Sequence, residues 1–279
     1  MKKFFGCIVA LAMGLVCAAQ TTSADFKANY ERQVRSVGAA GLGVEGIINR
    51  WEAAFPDDPE VQIARFSCNY AKSQKVQMVP KSTPRFLGAK PSLVLKDKDG
   101  ADVYYFEETF YDEGFFTAAM TAIDKAIDMS PDELSFRFAK ISALIAFEKE
   151  SPDMAYDLIN KLIAYNTQSK PAWLLNGEPA APEVFEQAMG EYCYSFYSIG
   201  SEQSYEYFKE LSEQLTKVFP KNAVFYSNIG SYWQAVKKNN KQALKFYNKA
   251  LKIDPDNYAA KRNIQIIQSS QSKKGQPSK

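Results

Sequence analysis

Residues 223–257, AVFYSNIGSYWQAVKKNNKQALKFYNKALKIDPDN, decide the fold. Tyr226, Ile229, Gly230 and Trp233 recur at the three- and four-residue steps that place side chains on one stripe of a helix. Ala243, Tyr247 and Ala250 do the same on a second helix. Pro255 closes the second helix, because its ring removes a backbone donor and pushes the preceding residue out of helical geometry. Two short helices with one apolar seam each cannot bury both seams alone. The stretch therefore predicts similar units upstream and a covering helix downstream.

The large, small and aromatic order on the first helix, locked against small residues on the second, resembles the tetratricopeptide repeat. The spacing from Ala243 to Pro255 agrees with that family, while the turn between the helices carries one extra residue, among Lys237 to Lys241. The same spacing recurs at Ile47, Trp51, Ala54 and Pro59, and again at Ala119, Ile123, Ala126 and Pro131. Another pair carries Phe136, Ala139 and Ala143 followed by Ala155, Ile159 and Leu162. The resemblance implies an all-α, tetratricopeptide-like right-handed α-solenoid of four to five helix pairs with an inserted β-hairpin.

Around these units the chain reads as follows. Phe26, Tyr30 and Val34 mark a first helix, ended by Gly38, Gly41 and Gly43, and helix-forming sequence resumes from Val61 to Lys72. An insertion over about 74–112 then separates the two helices of one repeat. In it Ser92–Leu95 and Ala101–Phe106 flank Asp97 to Gly100, which predicts a hairpin. Gly100 comes two places too early for a calcium loop of EF-hand order, so Asp97, Asp99 and Asp102 are read as a plain turn. Pro171, Gly177, Pro179 and Pro182 mark a loop from which Trp173, Leu174 and Leu175 are expected to tuck back onto the array. Glu183–Tyr197 and Ser204–Val218 form a further pair, with bulky Leu211 and Leu215 where small residues are usual. Tyr258–Ile267 supplies the covering helix; the repeat domain is set at 20–268, with 269–279 polar enough for disorder.

Residues 1–19 have the form of a secretory signal peptide: Lys2 and Lys3, then the apolar run Phe4–Val16, then Cys17, Ala18 and Ala19 as small-residue cleavage zone. The run is shorter than a spanning helix needs and no second one follows, so the mature chain is expected to lack a transmembrane segment and to be periplasmic or secreted. Val16 stands where a lipoprotein leader would carry a small residue, so no lipid anchor is expected at Cys17. Loss of Lys2 and Lys3 with the leader leaves 32 basic residues against 32 acidic ones. A neutral chain lacks the basic field that nucleic-acid binding requires. Cys68 and Cys193, each within an apolar helical pattern, are read as buried thiols rather than a bridge.

The chain has no histidine. That removes the commonest general base and the commonest zinc ligand together, and no phosphate-cradling glycine loop is present; no catalytic residue, metal site or cofactor is assigned. The remaining chemistry is carboxylate chemistry. Glu107, Glu108, Asp112 and Glu113 lie among Tyr104, Tyr105, Phe106, Phe110 and Tyr111, a pattern that would suit a glycan hydrolase or a glycan-binding surface. The same acids also suit the start of a helix, where they meet its dipole, and the aromatics a packing face. The Lys-rich last repeat, from Lys237 to Lys252, alternates with Ala243, Phe246 and Ala250 and reads as a solvated face.

The resemblance implies a non-catalytic scaffold that binds a protein or peptide along the first helices. Some members of the family hold a partner's carboxylate with Lys or Arg one place after the large residue and Asn four places on. With Ala64 in the large place, Arg65 and Asn69 take those positions; with Phe136 there, Arg137 does. Ile141 stands in place of the second Asn, and the last repeat offers only Ser227 and Ser231, so such a clamp is incomplete. Tyr192, Tyr194, Phe196 and Tyr197 encircle their helix; most must be core, and Tyr194 is the candidate for a groove.

Overall fold

The computed structural model describes residues 21–274. The signal peptide expected at 1–19 lies outside them, as do residues 275–279. Eleven α-helices and a small sheet are present among the described residues. In chain order the helices fall into five pairs and a closing helix: α1 Ser23–Val37 with α2 Val44–Ala54, α3 Pro59–Ser73 with α4 Glu113–Met129, α5 Leu134–Glu148 with α6 Asp153–Ser169, α7 Glu183–Ile199 with α8 Glu202–Val218, α9 Ala223–Ser231 with α10 Asn240–Ile253, then α11 Tyr258–Lys274. The chain is a helical solenoid of the kind the repeat resemblance implies. Because α11 continues to Lys274, the domain end expected at 268 falls inside a helix.

Four of the five pairs hand over to the next helix through one recurring linker: Phe55–Asp58, Ser130–Glu133, Phe219–Asn222 and Asp254–Asn257. In each, the first residue caps a finished helix and donates its N–H to the carbonyl four residues back, at Trp51, Ala126, Leu215 and Ala250. Proline follows, and the fourth N–H closes a turn onto the first carbonyl at 3.1–3.3 Å. The fourth side chain, Asp58, Glu133, Asn222 or Asn257, then accepts from a backbone N–H in the first turn of the next helix at 2.8–3.0 Å. One stop, one turn and one cap are thus written in four residues.

This linker corrects the register of the first pair. Pro56, not Pro59, is the counterpart of Pro131 and Pro255, since Pro59 is the first residue of α3. Counting back from it gives Val44, Ile48 and Trp51, all buried, whereas Ala54 of the expected set is exposed. Trp51 therefore occupies the place of Ala126 and Ala250. In α8 the same count gives Phe208, Ser212 and Leu215, so large and small are exchanged there: Phe208 and Leu215 stand where α4 and α10 carry alanine, and Ser212 stands where they carry Ile123 and Tyr247.

The extra residue in the last repeat is also placed differently. It is absorbed as a π-turn over Tyr232–Val236, where Lys237 donates to the Tyr232 carbonyl five residues back, upstream of the loop expected to hold it. Gly230 plays the small-residue part: a Cβ there would lie 2.6 Å from the ring of Tyr247. The seams are buried in successive clusters, one joining α2 and α3, one α3 to α5, one α5 to α9 and one α9 to α11. Each unit is covered by its neighbour. Cys68 and Cys193 are buried free thiols.

The insertion between α3 and α4 is more than a hairpin. β1 Gln74–Lys81, β2 Leu93–Lys96 and β3 Asp102–Tyr111 form an antiparallel sheet in the order β1-β3-β2. Gln74 pairs with Tyr111, so the two long strands grow straight out of α3 and into α4. Further on, Leu174 and Leu175 form the two-residue strand β4, paired with β5 Glu178–Pro179. Trp173 stacks on Phe185 at 5.8 Å, so this loop does tuck back.

Candidate functional site

The helix α7 carries two opposed stripes. Phe185, Met189, Tyr192, Cys193 and Phe196 are buried in the largest core cluster. Glu183, Gln187, Gly190, Glu191 and Tyr194 fall on the other side at helical spacing and border an open groove of about 720 Å³. The first turns of α9, which packs against α7, form its other wall through Asn222, Val224 and Asn228, with buried Phe225 at its base. The groove thus runs between the first helices of adjacent pairs.

Its polar groups differ in freedom. Asn222 is fixed: its Oδ1 accepts from the Val224 N–H at 2.8 Å, and its Nδ2 donates to Glu186 Oε1 at 2.5 Å. Glu183 and Glu191 have no ion pair among the described residues, and no lysine or arginine lines the groove. Tyr194, 66% exposed, stands at one end. Beyond it lies a second cavity of about 650 Å³, between Tyr197 and Tyr205 on one side and Arg85, Leu87, Gly88 and Ala89 of the insertion on the other. The β1–β2 loop therefore reaches from the second helix pair to the fourth. Gly88 makes that possible: its φ is +74°, and a Cβ would lie 2.0 Å from the Ser198 carbonyl oxygen.

Of the residues singled out in the sequence, Tyr194 alone faces this groove. Arg65 lies on α3 and is held by α2, through an ion pair with Glu52 and a 3.0 Å hydrogen bond to Asn49 Oδ1. Asn69 is half-buried on the same helix. Arg137, on α5, donates from Nε and Nη2 to the Pro131 carbonyl at 2.9 and 2.6 Å, and its guanidinium lies 5.1 Å from the centre of the Tyr165 ring. Each arginine is already engaged by its own chain, and a partner's carboxylate would compete with those bonds.

Two of the four acids in the aromatic stretch, Glu108 and Asp112, are likewise occupied by structure. Glu108 pairs with Lys81 at 2.8 Å and Lys149 at 3.5 Å, pinning the sheet to the end of α5. Burial pushes its carboxyl up, but the Lys81 hydrogen bond and the two ammonium charges outweigh that and hold it below the ordinary carboxylate value. A glycosidase acid needs the opposite shift. Asp112 caps α4, accepting from the Phe115 N–H at 3.0 Å. Among the described residues no cluster of three or more His, Cys, Asp or Glu could hold a metal ion. No helix among them is long and apolar enough to cross a membrane.

No known family's sequence profile matches the chain, and no curated protein does. Among solved structures it is similar to the MamA RS-1 ArsTM double mutant, at 12% identity and a TM-score of 0.41, over 85% of this chain and 96% of that one. It is similar also to MamA 41-end from Desulfovibrio magneticus RS-1, at 11% identity and a TM-score of 0.40, over 85% and 97%. Likenesses this loose carry no argument about function, which rests here on the groove itself.

Sequence reading missed Glu183, Gly190, Glu191 and Asn228. For Glu183, Gly190 and Glu191 the signal was available in the spacing of Glu183, Gln187, Gly190, Glu191 and Tyr194, the polar complement of the buried stripe on α7.

Proposed function

We propose that this protein is a non-catalytic scaffold of the cell envelope or secreted space that holds a protein or peptide partner in the groove between α7 and α9. The observation that carries this reading is the groove's construction. It is open, about 720 Å³, floored by a rigid core and lined by polar groups with an exposed tyrosine at its end. Such a surface offers hydrogen bonds and an aromatic anchor without any paired acid and base. The envelope location rests on the form of residues 1–19.

A photo-crosslinking amino acid placed at Tyr194, and as a control at exposed Lys161 on α6, tests this in the native host. Protein adducts are expected from position 194 and not from 161. Equal labelling from both positions, or none from 194, overturns the reading.

A further inference from the structure

The groove's chemistry narrows the partner, and the inference rests on the scaffold reading above. Three carboxylates, Glu183, Glu186 and Glu191, line it with no lysine or arginine among them, and only Glu186 has a hydrogen-bonded partner there, Asn222. The other two point unpaired charge at an open channel. Acids in the first turn of a helix are common for dipole reasons, which covers Glu183. Glu191 lies in the middle of α7, where the dipole offers it nothing.

Gly190 is the second, independent observation. It stands mid-helix, where glycine costs about 1 kcal/mol relative to alanine. A Cβ at that position would meet nothing within 4 Å, so no contact inside the protein requires its absence. It borders the groove between Gln187 and Tyr194. A bare backbone there lets another backbone approach closely. From Glu183 to Tyr194 the helix spans about 16 Å, the length of about five extended residues.

We propose that the groove takes an extended peptide segment bearing lysine or arginine side chains. Its main chain crosses Gly190 beside the Asn228 and Gln187 amides, its cations reach Glu183 and Glu191, and one of them lies against the face of Tyr194. Charge complementarity commits the groove to a basic partner segment rather than an acidic one.

The test uses the full mature chain and two labelled seven-residue probes, one alternating alanine with lysine and one alternating alanine with glutamate, read by fluorescence anisotropy. The lysine probe is expected to bind and the glutamate probe not. Glu183→Gln and Glu191→Gln should each weaken binding by about tenfold, and added salt should weaken it further. Gly190→Ala should weaken binding while raising the melting temperature, and Gly190→Leu should abolish binding with the helical circular dichroism spectrum intact. Equal affinity for the two probes, or binding indifferent to Gly190→Leu, overturns the proposal. So does a dimer that the lysine probe dissociates, since the occupant would then be the Lys-rich α10 of a second copy. If crosslinking at position 194 finds a partner that the lysine probe fails to displace, the scaffold stands and this inference falls.

Discussion

Glu133 shows how much a single side chain can join. It caps α5 through Ser135, and the same carboxylate accepts from the N–H groups of Asn176 and Gly177 at 2.9 and 2.8 Å, tying the β4–β5 loop to the third helix pair. Burial pushes its carboxyl up, but the Ser135, Gly177 and Asn176 hydrogen bonds prevail and leave it below the ordinary glutamate value of 4.5. A depressed folded-state pKa adds stability that is present above the unfolded value and lost as pH falls through the folded one. Glu133→Gln is therefore expected to lower unfolding free energy at pH 7 by about 1 to 3 kcal/mol. The difference from wild type should narrow as pH drops below 4.5, which urea titrations at pH 7 and pH 3.5 would show. None of this was legible in the sequence, where Glu133 is one acid after Pro131. Gly230 was legible, because a small residue between Ile229 and Trp233 has few reasons to be there except a close crossing, and the Tyr247 ring fills that space.

At the scale of elements, the second helices were the readable part and the insertion was not. Apolar residues at four- and three-residue steps before a proline stop are a strong local signal. Pro59 nonetheless drew the register of the first pair three residues too far, because both Pro56 and Pro59 fit a stop and only burial separates them. β1 escaped because Pro80 interrupts it; as an edge strand it tolerates the missing donor. The contact of the β1–β2 loop with α7 joins residues 110 positions apart, Gly88 and Ser198, and periodicity carries no record of it. Gly88→Ala would meet both the positive φ and the Ser198 carbonyl. It should release the loop while the helices hold: hydrogen exchange over 83–91 should speed up by more than about tenfold, corresponding to about 1.4 kcal/mol of lost local protection, with exchange in α9 and α10 unchanged.

Taken whole, the molecule keeps time by its four-residue linkers and closes with α11, whose Ala260, Ile264 and Ile267 complete the cluster around Tyr247. A solenoid without its end cover exposes a seam. Ending the chain at Asn257 is expected to cost about 3 kcal/mol or more in unfolding free energy and to speed hydrogen exchange in α9 and α10 first, leaving α1 to α4 protected. Unaltered exchange in α10 would show that the last pair needs no cover. The Gly88 contact gives the array a different property. In a purely linear stack, force applied to the two ends passes through every interface in series, and the weakest one parts alone. Here the insertion carries a second path from the second pair to the fourth, in parallel with the third. The middle of the molecule therefore bears tension as a closed frame, and under load the outer pairs, α1–α2 and α9–α10, are the ones left to peel.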